Sequence, residues 1–331
     1  IQKDLDDGID TIGKKMTVCQ LYAKQIRHRG NVRYNTKNGR KRLMKLLEED
    51  KLGGCPIDSV KLSDAKEWAI RMKEKGISYK TISNDKRSLK AAFYTAIQDD
   101  CIRKKPFDFQ LNTVIEDDTE PKVPLTPAQE ESFLSFAQND KVYQKYYDEL
   151  IILLGTGLRI SELCGLTDTD IDFENRIINV DHQLLRSAET GYYIETPKTK
   201  SGIRQIPMSE KVYEAFNRVL KRRRGAKAVT IDGYSNFLFL NRDGYPKTAT
   251  NYDGMFRGLA KKYNKYHEEA LPKVMTPHTL RHTFCTNMAN AGMNPKALQY
   301  ITGHSNITMT LNYYAHATFD SAKAEMLRIA A

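Results

Sequence analysis

The sequence has no long apolar run. Nothing in its 331 residues is apolar for the length that a bilayer crossing needs, and the N-terminus lacks the hydrophobic core of a secretory signal. Neither a membrane nor a secreted protein is expected. Cysteine is scarce as well. Cys19, Cys55, Cys101, Cys164 and Cys285 are odd in number, widely spaced and never arranged as a CxxC pair. A disulfide framework and a cysteine-based zinc site are both excluded, and a reducing compartment is expected. No internal repeat and no low-complexity tract is present. The chain opens with Ile instead of Met, which predicts that it is part of a longer protein.

What is present is basic charge, unevenly placed. The 52 Lys and Arg exceed the 41 Asp and Glu by 11, a balance that favours a polyanionic partner. Residues 14–105 hold 24 bases and 10 acids, whereas residues 106–120 hold five acids and no base. That acidic stretch runs through two prolines to Thr126-Pro127-Ala128-Gln129, the signature of a capped helix start with Pro at its first position. It reads as an interdomain linker at 113–124. The expected organisation is a remnant of a preceding linker at 1–13, a helical basic domain at 14–112, the linker, and a second domain at 125–331 that ends in a helix over 318–331.

The first domain carries helical spacing at 17–27, 38–50, 63–75 and 78–99. In the last of these Ile82, Leu89, Phe93 and Ile97 share one face, and Lys80, Lys86, Arg87 and Lys90 lie elsewhere around it. Those four cations are candidates for contacts to a DNA backbone, and a solvated lysine-rich face explains them equally well. The second domain reads as mixed. Helices are expected at 125–136, 142–155 and 159–166, then strands at 176–184, 192–196 and 203–207. The last two strands are expected to form a hairpin around Pro-Lys-Thr-Lys-Ser-Gly. Helices follow at 209–224, 251–267, 278–291, 295–301, 307–313 and 319–330.

Four segments could carry chemistry. Gly157 sets a tight turn before a helix, so Arg159 falls at a helix start where a phosphate is favoured, although Arg159 and Glu162 could equally form a surface ion pair. Lys198 and Lys200 sit in the turn, where a lysine with a lowered pKa can deliver a proton, though most turn lysines do not. His278 and Arg281, three apart, can converge on one group. A metal pair of His278 and His282 is disfavoured, because Thr279 stands where a metalloprotease needs Glu and Arg281 opposes a cation; His282 reads as structural. Last, His304 in a Gly-led turn precedes Tyr313 by nine residues. A tyrosine is a poor nucleophile unless cations surround it.

Together, two arginines, a lysine, two histidines and a late tyrosine form a kit for phosphodiester cleavage without a metal. Their order and spacing resemble the tyrosine recombinase (phage-integrase) family. The segments that carry the resemblance are Thr-Gly-Leu-Arg-Ile-Ser-Glu-Leu, the turn lysine, His-Thr-Leu-Arg-His, Gly-His and the tyrosine nine residues later. Pro-Lys-Thr-Lys-Ser-Gly-Ile-Arg-Gln-Ile-Pro and the segment from Gly303 to His316 resemble integrases of conjugative transposons in particular.

The resemblance implies a mainly α fold. A helical core-binding domain would join a mixed α/β catalytic domain, helices with a small antiparallel sheet, as a C-shaped clamp on DNA. It implies that Arg159 and Arg281 hold the scissile phosphate, that Lys200 is the general acid with Lys198 in reserve, and that His278 is an acid/base. It also implies that His304 hydrogen-bonds the phosphate and that Tyr313 attacks. The spacing Tyr314 to His316 would instead favour Tyr314; the distance from His304 favours Tyr313, and one residue on a helix is about 100° of rotation. No cofactor or metal is implied. The partners implied are double-stranded DNA at element ends and target, further copies of the chain as dimer to tetramer on DNA, and an excision accessory protein, in the bacterial cytoplasm. The C-terminal helix could dock in cis or on a neighbouring subunit. A type IB topoisomerase and a DNA-binding regulator are the rival readings.

Overall fold

In the computed structural model of the chain the residues described are 15–30, 32–120, 123–197, 199–223, 229–314 and 326–327. They fall into two compact units, residues 1–121 and 122–331.

The first unit is helical: α1 (Val18–His28), α2 (Tyr34–Glu48), α3 (Leu62–Glu74) and α4 (Tyr79–Gln98). Thr17 and Gln20 cap the start of α1 reciprocally, side chain to backbone in both directions. The apolar stripe of α4 meets the other helices, with Ile82, Leu89 and Phe93 buried. Trp68 stands edge-on to Phe107 at 6.0 Å, and Phe93 lies 5.3 Å from the same ring. Ile115 still packs on this core. Helix α2 starts four residues before its expected position. Its first turn, Tyr34 to Lys37, has no aliphatic residue and no side-chain cap, so periodicity alone could not register it.

The second unit opens on α5 (Pro127–Asn139), where Thr126 and Gln129 form the expected capping box. The next helix starts late. Asp140 Oδ1 accepts the backbone N–H groups of Val142 and Tyr143, and this local turn competes with helix until a 3-10 turn leads into α6 (Tyr147–Thr156). Leu150, Ile152 and Leu153 of α6 are fully buried. Next come α7 (Ile160–Gly165), β1 (Ile171–Asp172), β2 (Ile177–Val180), β3 (Gln183–Ser187), β4 (Gly191–Glu195) and β5 (Arg204–Pro207). The remaining helices are α8 (Glu210–Arg223), α9 (Ala249–Tyr266), α10 (Pro277–Asn290), α11 (Pro295–Thr302) and α12 (Ile307–Leu311).

The strands differ from the expectation in two respects. They form two antiparallel sheets, β1-β2-β5 and β3-β4, so β4 and β5 are not a hairpin. The expected single strand over 176–184 is broken at Asp181-His182. There the imidazole turns into the fold, with Nε2 2.7 Å from the Gly165 carbonyl and Nδ1 2.6 Å from Asp181 Oδ1. The turn with Lys200 therefore spans two sheets. The expected C-terminal helix, apart from Met326 and Leu327, lies outside the described residues, as does Lys198. No helix among the described residues is long and apolar enough to cross a membrane.

Candidate active site

Most of the site residues of the second unit sit at or next to the end of an element. Helix α6 stops at Gly157, whose φ of 61° is left-handed. A Cβ there would lie 2.4 Å from the Phe284 ring of α10, so both the turn and the packing require glycine. The chain then enters α7 with Arg159 as the residue before its first turn. Glu162 accepts the Arg159 backbone N–H at 2.8 Å and Arg159 Nη1 at 2.7 Å, while Arg159 Nη2 donates to the Gly303 carbonyl at 2.9 Å. The ion pair anticipated from the three-residue spacing exists, but Glu162 is only 5% exposed. It holds the guanidinium in place instead of decorating the surface.

Helix α10 begins with Pro277, and His278 lies exposed in its first turn. One turn on, Arg281 is 3% exposed and donates to two carbonyls, Nη1 to Gly157 and Nη2 to Thr302. Its guanidinium thus joins the turn before α7 to the end of α11. Burial first, and then the neighbouring Arg159 charge, lower its pKa to about 10, so it keeps its charge at neutral pH.

Helix α11 ends on Gly303, left-handed with φ 64°, and His304 follows. His304 is 4% exposed, and its Nδ1 lies 2.9 Å from Thr310 Oγ1. Burial, then Arg281, Arg159, Arg204 and His278 in turn, push its pKa down to about 4. The ring is therefore neutral at pH 7. A Thr310 hydroxyl that donates to Nδ1 leaves the ring proton on Nε2, where it can be donated to an anion.

Helix α12 ends at Leu311, and the turn after it places the two tyrosines differently. The Tyr313 ring lies parallel to His304 at 6.4 Å and edge-on to His282 at 5.0 Å. Burial, and then Cys285 beside its hydroxyl, push the Tyr313 pKa up to about 12, with Arg281 acting in the opposite direction. Tyr314 points away: its hydroxyl donates to the Met293 carbonyl at 2.5 Å.

Lys200 is exposed in a 3-10 turn, Lys200–Gly202, and the carbonyl of its neighbour Ser201 lies against Gly303. The structure thus gathers Arg159, Arg281, His304 and Tyr313 around the end of α11 and leaves His278 and Lys200 exposed. Arg204 was not anticipated. Its side chain is fully buried and pairs with Glu162 through both terminal nitrogens. The signal available was the Arg two residues after Gly202 at the start of a strand that alternates inward and outward. Among the described residues one trio of metal-type ligands occurs, Asp170, Asp181 and His182. Both ring nitrogens of His182 already face oxygen atoms, so the ring serves the fold.

In the first unit the four candidate cations divide. Lys80 and Arg87 are exposed, and Arg87 Nη1 donates to Asn84 Oδ1 at 3.2 Å. Lys86 donates to the Phe109 carbonyl and lies over that ring at 4.4 Å, and Lys90 pairs with Asp108. A cleft of about 650 Å³ among α1, α2 and α4 is lined by Arg29, Arg40, Arg42 and Arg87 with Asn84 and Ser88. Three of these arginines lie outside α4, Arg40 and Arg42 on α2 and Arg29 just past the end of α1, so the pattern of α4 does not point to them.

The state of His304 is directly measurable. Its pKa is lowered from the ordinary 6.5 to about 4, so protonation favours the unfolded chain. The stability it contributes is complete above pH 6.5 and is lost as pH falls toward 4. Ring-nitrogen NMR of the free protein is expected to show a neutral imidazole down to that range. Proton uptake near 6.5 would contradict the burial and the three flanking arginines.

Comparison with known proteins identifies the family. The model of the phage integrase family matches residues 124–321. The transposase from transposon Tn916 of Enterococcus faecalis is 68% identical over 329 residues, 99% of this chain and 81% of that protein. A solved Tn1549 transposon integrase, in complex with a circular intermediate DNA, is 78% identical with a TM-score of 0.91, covering 95% of this chain and 99% of that one. A lambda integrase dimer bound to a core site shares the fold at 15% identity and a TM-score of 0.61, over 91% of this chain and 78% of that one. A chain that carries the two arginines, the buried histidine and the tyrosine in these positions, with these relatives, belongs to the phage integrase family and is a tyrosine recombinase of the kind found in conjugative transposons.

Proposed function

We propose that this protein excises and integrates a mobile element by cutting and rejoining DNA strands through Tyr313. The observation that carries this reading is the convergence of Arg159, Arg281 and neutral His304 on one point beside the Tyr313 ring, with Tyr314 directed elsewhere. Arg159 and Arg281 take the non-bridging oxygens of the scissile phosphate, and His304 Nε2–H adds a hydrogen bond as charge grows on them. His278 accepts the tyrosine proton, and Lys200 protonates the leaving 5′-oxygen. The products are a 3′-phosphotyrosyl bond and a free 5′-hydroxyl. Because each covalent link keeps the energy of the bond it replaces, the 5′-hydroxyl of a partner strand can reverse the step and form a Holliday junction. No metal or nucleotide enters this scheme.

The first unit supplies phosphate contacts from Lys80, Arg87 and the arginine-lined cleft, with Lys86 and Lys90 held back by the 105–110 segment. The partners are double-stranded DNA at the element ends and target site, two to four copies of the chain on that DNA, and an excision accessory protein, in the cytoplasm of a bacterium. The test is incubation with circular intermediate DNA of Tn1549 in EDTA without ATP, quenched with detergent. Protein attached covalently to a 3′ end, followed by junction-containing product, is expected. Adducts formed only when Mg²⁺ is restored, or no adduct at all, would overturn the reading.

A further inference from the structure

Arg204 at the start of β5 is a buried cation for which the scheme above has no use. Its side chain is entirely inaccessible, and every polar atom of its head is engaged. Nε donates to the Ile301 carbonyl at 2.6 Å; Nη1 donates to Gly202 O and to Glu162 Oε1, both at 3.1 Å; Nη2 donates to Glu162 Oε2 at 2.9 Å. Three separate parts of the site meet on this one guanidinium. Gly202 closes the turn that carries Lys200, Ile301 lies in the last turn of α11 just before Gly303 and His304, and Glu162 holds Arg159. The contact is close enough that a Cβ on Gly303 would stand 3.1 Å from Nη1.

The geometry also has a consequence for Arg159. Glu162 has one carboxylate and two guanidinium partners. Arg204 occupies it as a two-pronged fork, so the Arg159 guanidinium reaches it through Nη1 alone, and Nη2 is left to the Gly303 carbonyl and other acceptors. Without Arg204 the carboxylate can swing onto Arg159 and take both of its terminal nitrogens, which would withdraw them from a bound phosphate. A carboxylate this deeply buried stays ionised because Arg204, together with Arg159, outweighs the cost of burial and holds its pKa near 2.

We propose that Arg204 is a positioning residue for strand cleavage: it saturates Glu162 so that Arg159 faces the scissile phosphate, and it locks the Lys200 turn to the α11 end that carries His304. This rests on the recombinase reading above. Arg204 itself does not touch DNA.

The test is single-turnover cleavage of the Tn1549 circular intermediate duplex by wild type, Arg204→Met and Arg204→Lys. Each is also run on a duplex with a methylphosphonate at the cleaved position. Arg204→Met is expected to bind DNA like wild type and to cleave about 10²-fold more slowly, the scale of loss for a displaced catalytic group. On the methylphosphonate, which carries one negative charge fewer where Arg159 acts, the deficit should shrink to a few-fold. Arg204→Lys should recover little, because an ammonium cannot grip Glu162 as a fork while also reaching Ile301 and Gly202. A purely structural role would give equal deficits on both substrates. That result, or wild-type cleavage by Arg204→Met, overturns the proposal. If Arg204→Met fails to fold, the same substrate ratio is read on Arg204→Lys, where equal deficits again refute it. Failure of wild type to form adducts would instead refute the recombinase reading.

Discussion

Tyr313→Phe is expected to abolish covalent attachment to DNA while leaving DNA affinity and folding intact. Phenylalanine has no oxygen with which to form the phosphate ester, so the loss should be on the order of 10⁴-fold or more, as for other nucleophile deletions. The hydroxyl is half-buried beside Cys285 and contributes little to the core, so the melting temperature should barely change. Tyr314→Phe supplies the contrast. It removes one hydrogen bond to Met293 and should cost about 1 kcal/mol of stability, with cleavage kept within a few-fold. Adducts are scored after detergent quench and protease-resistant 3′-end labelling. Adducts retained in Tyr313→Phe and lost in Tyr314→Phe would reverse the assignment. In the free protein the nucleophile is protonated, with a pKa near 12. Cleavage therefore depends on a base acting as the bond forms, and its rate should rise with pH through the titration of that base.

Arg281→Met is expected to damage both cleavage and stability, because two losses coincide. The first is chemical: one of the two charges on the phosphate disappears, and removal of one such donor typically slows the step by about 10²–10³-fold. The second is structural. The Gly157 and Thr302 carbonyls lose their shared donor, and an orphaned buried acceptor costs about 1–3 kcal/mol. Those carbonyls belong to the segments that carry Arg159 and His304, so both should drift, and the combined cleavage loss should exceed 10³-fold by an order of magnitude or so. Arg281→Lys keeps the charge without the fork and should fall between Met and wild type. A further sign is specific to this site. Arg281 is the first charged neighbour that lowers the His304 pKa, so in Arg281→Met the His304 titration should move up from about 4. Loss of cleavage in the Met variant with an unmoved His304 titration and an unchanged melting temperature would refute the account of Arg281 as a link between the two turns.

Much of this was legible in the chain. Thr126, Pro127 and Gln129 announced the start of α5 because capping is a local exchange between side chain and backbone. The buried face of α4 could be read because a 3.6-residue period survives any tertiary context. Glycines 157 and 303 marked turns, and both prove left-handed. The lysines of α4 were less readable. Their spacing was visible, but that Lys86 and Lys90 are taken up by Phe109 and Asp108 depends on where a later segment folds back.

The sequence by itself determined most of the helices and the candidate reacting groups, because helix caps, turns and residue chemistry are set within a few positions along the chain. It also favoured Tyr313 over Tyr314 through the distance from His304, although only the fold shows one ring beside His304 and the other hydroxyl spent on Met293. The tertiary structure alone decided strand pairing, because the break at His182 is fixed by a carbonyl 17 residues away. It alone decided the protonation of His304, which follows from arginines at 159, 204 and 281 that only folding brings near. And it alone revealed Arg204, whose partners lie 2, 42 and 97 residues distant in the chain. A charge is read from sequence as solvated until packing removes the water around it, and that desolvation is a property of the whole fold.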